Sequence, residues 1–121
     1  MAKKILVIDD DPVGATLMEA RLLKAGYGVL RAVNGLMGLE VAKREHPDLI
    51  ILDVEMPEMN GYMFMGVLKK IEGFQTVPVI VLTSHAENRP IFQRKGVKHY
   101  LVKPINFDEL LPKIAELLTQ S

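Results

Sequence analysis

Asp53 closes the apolar run Leu49-Ile50-Ile51-Leu52 and opens the irregular stretch Val54-Glu55-Met56-Pro57-Glu58-Met59-Asn60-Gly61. Three more runs of the same kind end in reactive residues. Asp9, Asp10 and Asp11 follow Ile5-Leu6-Val7-Ile8, Thr83-Ser84 follow Val79-Ile80-Val81-Leu82, and Lys103-Pro104 follow Tyr100-Leu101-Val102. Acids, a hydroxyl and an ammonium thus fall at the carboxyl ends of candidate parallel strands, where open α/β sheets place their ligand site.

Carboxylates gathered there need a counter-charge. Two of them 4 Å apart repel by about 4 kcal/mol at an effective dielectric near 20. A hard divalent cation such as Mg²⁺ suits oxygen ligands, keeps several waters, and leaves room for a phosphoryl group. With Lys103 the formal charges then cancel: three carboxylates against a dication and a lysine. Each residue taken singly has a plainer explanation. Asp11 reads as a helix cap, Asp53 as a turn residue before Pro57, Thr83 as a strand residue, and Lys103 as a solvated lysine. Capping does not cover three acids in a row, and the four strand ends together point to one shared site.

The elements that must position this site alternate strand and helix five times, the pattern of a parallel sheet with helices on both faces. The first helix is expected from Asp11-Pro12, with Ala15, Met18, Leu22 and Ala25 inward and Gly26 as its stop. Tyr27 to Ala32 is the expected second strand, and Asn34-Gly35 starts a helix running to about Arg44. A third helix from about Gly61 carries Phe64, Val67, Leu68 and Ile71 as its core stripe, with Tyr62 and Met65 off it. The segment from Glu87 to Lys95 can hold only a short fourth helix, since Pro90 sits near its start and Gly96 near its end. The last helix follows an Asn106/Glu109 reciprocal cap and carries Phe107, Leu110, Leu111, Ile114, Leu117 and Leu118; Pro112 predicts a kink or a later start.

A chain of 121 residues is one domain by length, here 1–121, and large enough to bury a core without staples. Fifteen basic and fifteen acidic side chains cancel, so the field expected of a nucleic-acid binder is lacking. The first apolar run is four residues long and ends in aspartates, too short for a signal peptide, and no membrane-spanning stretch follows. A cytoplasmic protein is expected, with no membrane or nucleic-acid contact by this domain.

Asp9-Asp10, Asp53-x-x-Met56-Pro57-x-Met59-x-Gly61, Thr83-Ser84 and Lys103-Pro104 together resemble the CheY-like receiver domains of two-component response regulators. The match spans nearly the whole chain. The resemblance implies a flavodoxin-like, doubly wound α/β fold with a five-stranded parallel sheet in the order 2-1-3-4-5. It implies that a sensor histidine kinase or a histidine phosphotransfer protein donates a phosphoryl group to Asp53, with Lys103 and Thr83 completing the reactive set. It also implies Mg²⁺ held by Asp10 and Asp53 directly, by Asp9 through water, and by the backbone carbonyl of Glu55. Thr83 and Tyr100 would form the switch, the hydroxyl moving toward the phosphoryl oxygens and the aromatic ring turning into the space left.

Glu55 and His85 match positions that tune hydrolysis of the acyl phosphate; His46 and His99 receive no role. By the resemblance the domain promotes its own phosphorylation and dephosphorylation without being a conventional enzyme. An unidentified downstream protein would read its altered surface, and no effector domain is expected after the last helix. Thr83 and Lys103 stand about two residues closer than the family spacing, which assigns the shortage to the fourth helix. Two rivals remain on the residues. Asp9-x-Asp11-x-Val13 also resembles the nucleophile motif of haloacid-dehalogenase-type phosphohydrolases, with Asp9 attacking phosphate esters. A receiver-like docking module that takes no phosphate is the other.

Overall fold

The computed structural model describes residues 2–53, 61–84 and 98–119. Five parallel strands, β1 (Lys4–Ile8), β2 (Gly28–Ala32), β3 (Leu49–Asp53), β4 (Val79–Thr83) and β5 (His99–Val102), form one sheet in the order β2-β1-β3-β4-β5. The expected doubly wound order is therefore present. The helices are α1 (Pro12–Lys24), α2 (Gly35–Glu45), α3 (Gly61–Leu68) and α4 (Phe107–Thr119). The short helix expected over 87–95 lies outside the described residues.

Burial follows strand position. Every residue of β3 and β4 is buried, as central parallel strands covered on both faces require. Alternate side chains feed two core clusters. Leu6, Ile8, Ile50, Leu52 and Val81 meet α2 and α3 through Leu39, Ala42, Phe64 and Leu68. Ile5, Val7, Ile51, Ile80 and Leu82 meet α1 and α4 through Met18, Leu22, Leu110 and Ile114. The two-residue period of the strands separates the clusters.

Local signals place the helix ends. Asp11 caps α1, its carboxylate accepting from the Val13 N–H with Pro12 behind it, and Asn34 caps α2 by accepting from the Met37 N–H at 2.8 Å. Gly26, with φ +98°, takes the left-handed conformation expected of it. Three expectations need correction. In α3 Met65 is buried and Val67 is 40% exposed, so the inward stripe is turned from the one read in the sequence. Ala25 is exposed because it caps α1 and lies beyond its last inward-facing turn. α4 begins at Phe107 and includes Pro112, so the helix does not start later than the proline. Its hydrophobic face, with Leu110 and Ile114 fully buried on either side of the proline, offsets the missing backbone donor. Asn106 does cap α4, accepting from the Asp108 N–H at 2.9 Å.

Candidate functional site

All four strand ends converge at the carboxyl edge of the sheet. Asp53, the last residue of β3, is paired in register with Leu82, one residue before Thr83, and Thr83 pairs with Val102, one residue before Lys103. The Lys103 N–H donates to the Thr83 carbonyl at 2.7 Å, continuing the β4–β5 ladder one step past the strand. That step fixes the lysine's origin, and its side chain reaches back over β4. Lys103 Nζ lies 3.0 Å from Asp53 Oδ2, with the carboxylate side chain 4% exposed and the lysine side chain 32%.

On the other side of β3, the Asp9 N–H donates to the Ala32 carbonyl at 3.1 Å and holds the chain leaving β1. Asp9 Oδ1 accepts from the Asp11 N–H at 2.9 Å, which fixes the direction of that carboxylate. Asp9, Asp10 and Asp53 each offer an oxygen within 4.8 Å of the others. Burial pushes the Asp9 carboxyl above the usual carboxylate range; Asp53 and Asp11 push the same way, while the Asp11 N–H and Lys103 oppose them.

The donor set is oxygen-only, Asp53 is buried, Asp10 is open to solvent, and the Lys103 ammonium stands opposite. These features suit a hard cation that retains water. The helix beside it agrees: Gly14, in the first turn of α1, has no Cβ to crowd Asp9 and Asp11. Asp9, Asp10, Asp53, Thr83 and Lys103, expected from sequence to share a site, are thus brought to one edge. Glu55 and His85 lie outside the described residues. Tyr100 is half-buried against the core cluster that contains Phe64, and its register partner Val81 puts it on the same sheet face as Thr83. The resemblance read in the sequence did not include Gly14; an isolated glycine just inside a capped helix was the available signal.

The response regulator receiver domain model matches residues 5–115, which holds every one of these strand ends. The chain belongs to that family. This receiver is 39% identical over 118 residues to the probable transcriptional regulator ycf27 of Porphyridium aerugineum, covering 96% of this chain and 48% of that one. It is 34% identical to PilH of Pseudomonas aeruginosa, covering 95% and 97%. The chain spans about half the length of several curated relatives it matches. Among solved structures it superposes on the response regulator TrrA of Thermotoga maritima in complex with Mg²⁺-BeF, with a TM-score of 0.86, 35% identity, and coverage of 95% and 98%. This receiver is a signalling domain of the two-component class, and its flavodoxin-like sheet is the family's. No helix among the described residues is long and apolar enough to cross a membrane.

Proposed function

We propose that Asp53 is the phosphoacceptor of this receiver and that a sensor histidine kinase or a histidine phosphotransfer protein is its donor. The observation that carries this is the 3.0 Å contact between Lys103 Nζ and a buried Asp53, with oxygens of Asp9 and Asp10 close by. A carboxylate oxygen of Asp53 attacks phosphorus in line. The phosphorus–nitrogen bond of the phosphohistidine breaks, its electron pair leaves with the imidazole, and an acyl phosphate results. Such a transfer needs positioning and charge neutralisation more than proton transfer, so no histidine of this chain is required.

Asp10 and Asp53 would hold Mg²⁺ directly, Asp9 through water, and the Glu55 carbonyl would add an oxygen. When bound, the cation neutralises charge on the transferring phosphoryl oxygens. Lys103 serves the same end from the opposite side, first pairing with the Asp53 carboxylate and then with the new phosphoryl group. Thr83 and Tyr100 are the proposed switch. Both face the same side of β4 and β5, so movement of one hydroxyl changes the space open to one ring. Glu55 and His85 are proposed to tune hydrolysis.

The domain, 1–121, promotes its own phosphorylation and dephosphorylation, acts in the cytoplasm, and passes its state to a downstream protein. Its balanced charge supports a role without nucleic-acid contact by this domain, although relatives twice its length are named as transcriptional regulators. The phosphohydrolase alternative would make Asp9 the nucleophile. Asp9 Oδ1 instead accepts the Asp11 N–H, and the lysine pairs with Asp53.

Acetyl phosphate with Mg²⁺, followed by intact-protein mass measurement, tests the proposal. One phosphoryl group is expected on the wild type and none on Asp53→Asn. Labelling that survives Asp53→Asn and disappears in Asp9→Asn would support the phosphohydrolase, and no labelling at all would support the docking module.

A further inference from the structure

Gly14 is the third residue of α1, where glycine is a poor helix former, and its backbone does not call for it. Among the described glycines only Gly26 and Gly73 have positive φ. What distinguishes Gly14 is its side of the helix. A Cβ there would lie 3.1 Å from Asp11 Oδ2 and 3.5 Å from Asp9 Oδ2. The first distance is tighter than ordinary van der Waals contact, so alanine would force the Asp11 carboxylate to shift.

The other oxygens of both acids are committed. Asp9 Oδ1 accepts from the Asp11 N–H at 2.9 Å, and Asp11 Oδ1 accepts from the Val13 N–H at 3.1 Å. The two Oδ2 atoms therefore converge on the glycine, with the acid cluster of Asp9, Asp10 and Asp53 adjoining. Magnesium gives up its waters reluctantly, and a hydrogen bond from such a water to a carboxylate is nearly as good as a direct hydrogen bond between protein groups.

We propose that Gly14 is kept free of a side chain so that Asp9 and Asp11 together carry outer-shell water of the cation. Asp11 is then a positioning residue for Mg²⁺ as well as the cap of α1. This inference rests on the Mg²⁺ site proposed above and extends it to two residues.

The test is an amide NMR titration of the full chain with MgCl₂, alongside thermal unfolding with and without Mg²⁺, for wild type, Gly14→Ala and Asp11→Asn. Gly14→Ala should weaken Mg²⁺ binding about three- to tenfold while its cation-free midpoint stays equal to or above that of wild type, because alanine is the better helix former. Asparagine caps as well as aspartate, so Asp11→Asn should keep its midpoint and also bind Mg²⁺ more weakly. The Asp11→Asn loss should persist in concentrated KCl, where through-space attraction between exposed charges is screened.

Wild-type Mg²⁺ affinity in Gly14→Ala overturns the inference. Should Gly14→Ala not fold, unchanged affinity in Asp11→Asn, or a loss that salt abolishes, overturns it instead. A wild type that shows no response to Mg²⁺ would sink the site itself, an outcome distinct from a responsive wild type matched by its variants.

Discussion

Lys103 Nζ and Asp53 Oδ2 meet at 3.0 Å across the end of β4, joining the strand ends of β3 and β5. The pair is unequal: the carboxylate is buried and the ammonium is about one-third exposed. Removing the lysine therefore leaves a charge that water does not reach, whereas removing the acid leaves one that it does. Lys103→Met is expected to destabilise by on the order of 1–2 kcal/mol, and Asp53→Asn by less. Urea unfolding at pH 7 measures both. The same Lys103→Met protein should take up phosphoryl groups from acetyl phosphate at least tenfold more slowly, since the charge opposite the attacking oxygen is gone. Equal stability losses in the two variants would contradict the asymmetry.

The acid cluster carries a cost that the cation would offset. Burial and the neighbouring Asp53 push Asp9 above its ordinary range, so the folded chain holds that proton more tightly than the unfolded one does. Stability from this group increases as pH falls from the folded-state value toward the ordinary carboxylate value, and at neutral pH the ionised group is a penalty. Asp9→Asn should stabilise the metal-free protein by on the order of 0.5 kcal/mol at pH 7, with allowance for the partly buried side chain. Thermal unfolding with and without MgCl₂ checks this. The variant should melt higher without Mg²⁺ and gain less from it than wild type. A lower metal-free midpoint would contradict the penalty.

The strands and the members of the acid cluster were legible because each signal was local, whereas the strand order was implied by the family resemblance. An apolar run ending in aspartate needs no tertiary knowledge to be seen, and the right-handed crossover rule limits how such runs can be joined. The inward stripe of α3 was not legible in the same way. Met65 and Val67 are two positions apart, which on a helix is almost opposite faces, and periodicity alone left the rotation of the stripe ambiguous. Pro112 did not impose the later start, for another reason. Its local cost was visible in the sequence, while the burial of Leu110 and Ile114 that offsets it depends on strands far away in the chain.

Gly38 shows a second requirement hidden from sequence. It lies in α2 over the sheet, and a Cβ there would fall 2.5 Å from Ile8 Cδ1 and 3.2 Å from the Phe64 ring. Ile8 and Phe64 are both fully buried, so neither can withdraw without moving the core. Gly38→Ala should lose about 1–3 kcal/mol by overpacking, although alanine is the better helix former. Urea unfolding checks the sign. Added stability would mean that Ile8 changes rotamer at little cost.

His99, at the start of β5 and far from the acids, should make stability depend on pH in the direction opposite to Asp9. It lines a cleft of about 640 Å³ with Lys69 and Lys98. Burial lowers its tendency to protonate below that of an ordinary histidine, Lys113 and Lys98 lower it further, and Glu116 acts against them. A histidine whose folded-state value lies below its unfolded one binds protons more readily when unfolded, so stability rises with pH through that window. The penalty is absent above the unfolded value near 6.5 and complete below the depressed folded value. Because the ring is only partly buried, the change should amount to a few tenths of a kcal/mol. Unfolding midpoints for wild type and His99→Gln between pH 7.5 and 5 provide the check. The wild type should lose more on acidification than the glutamine variant, and parallel curves would show that neither burial nor the neighbouring lysines disfavour protonation of this ring.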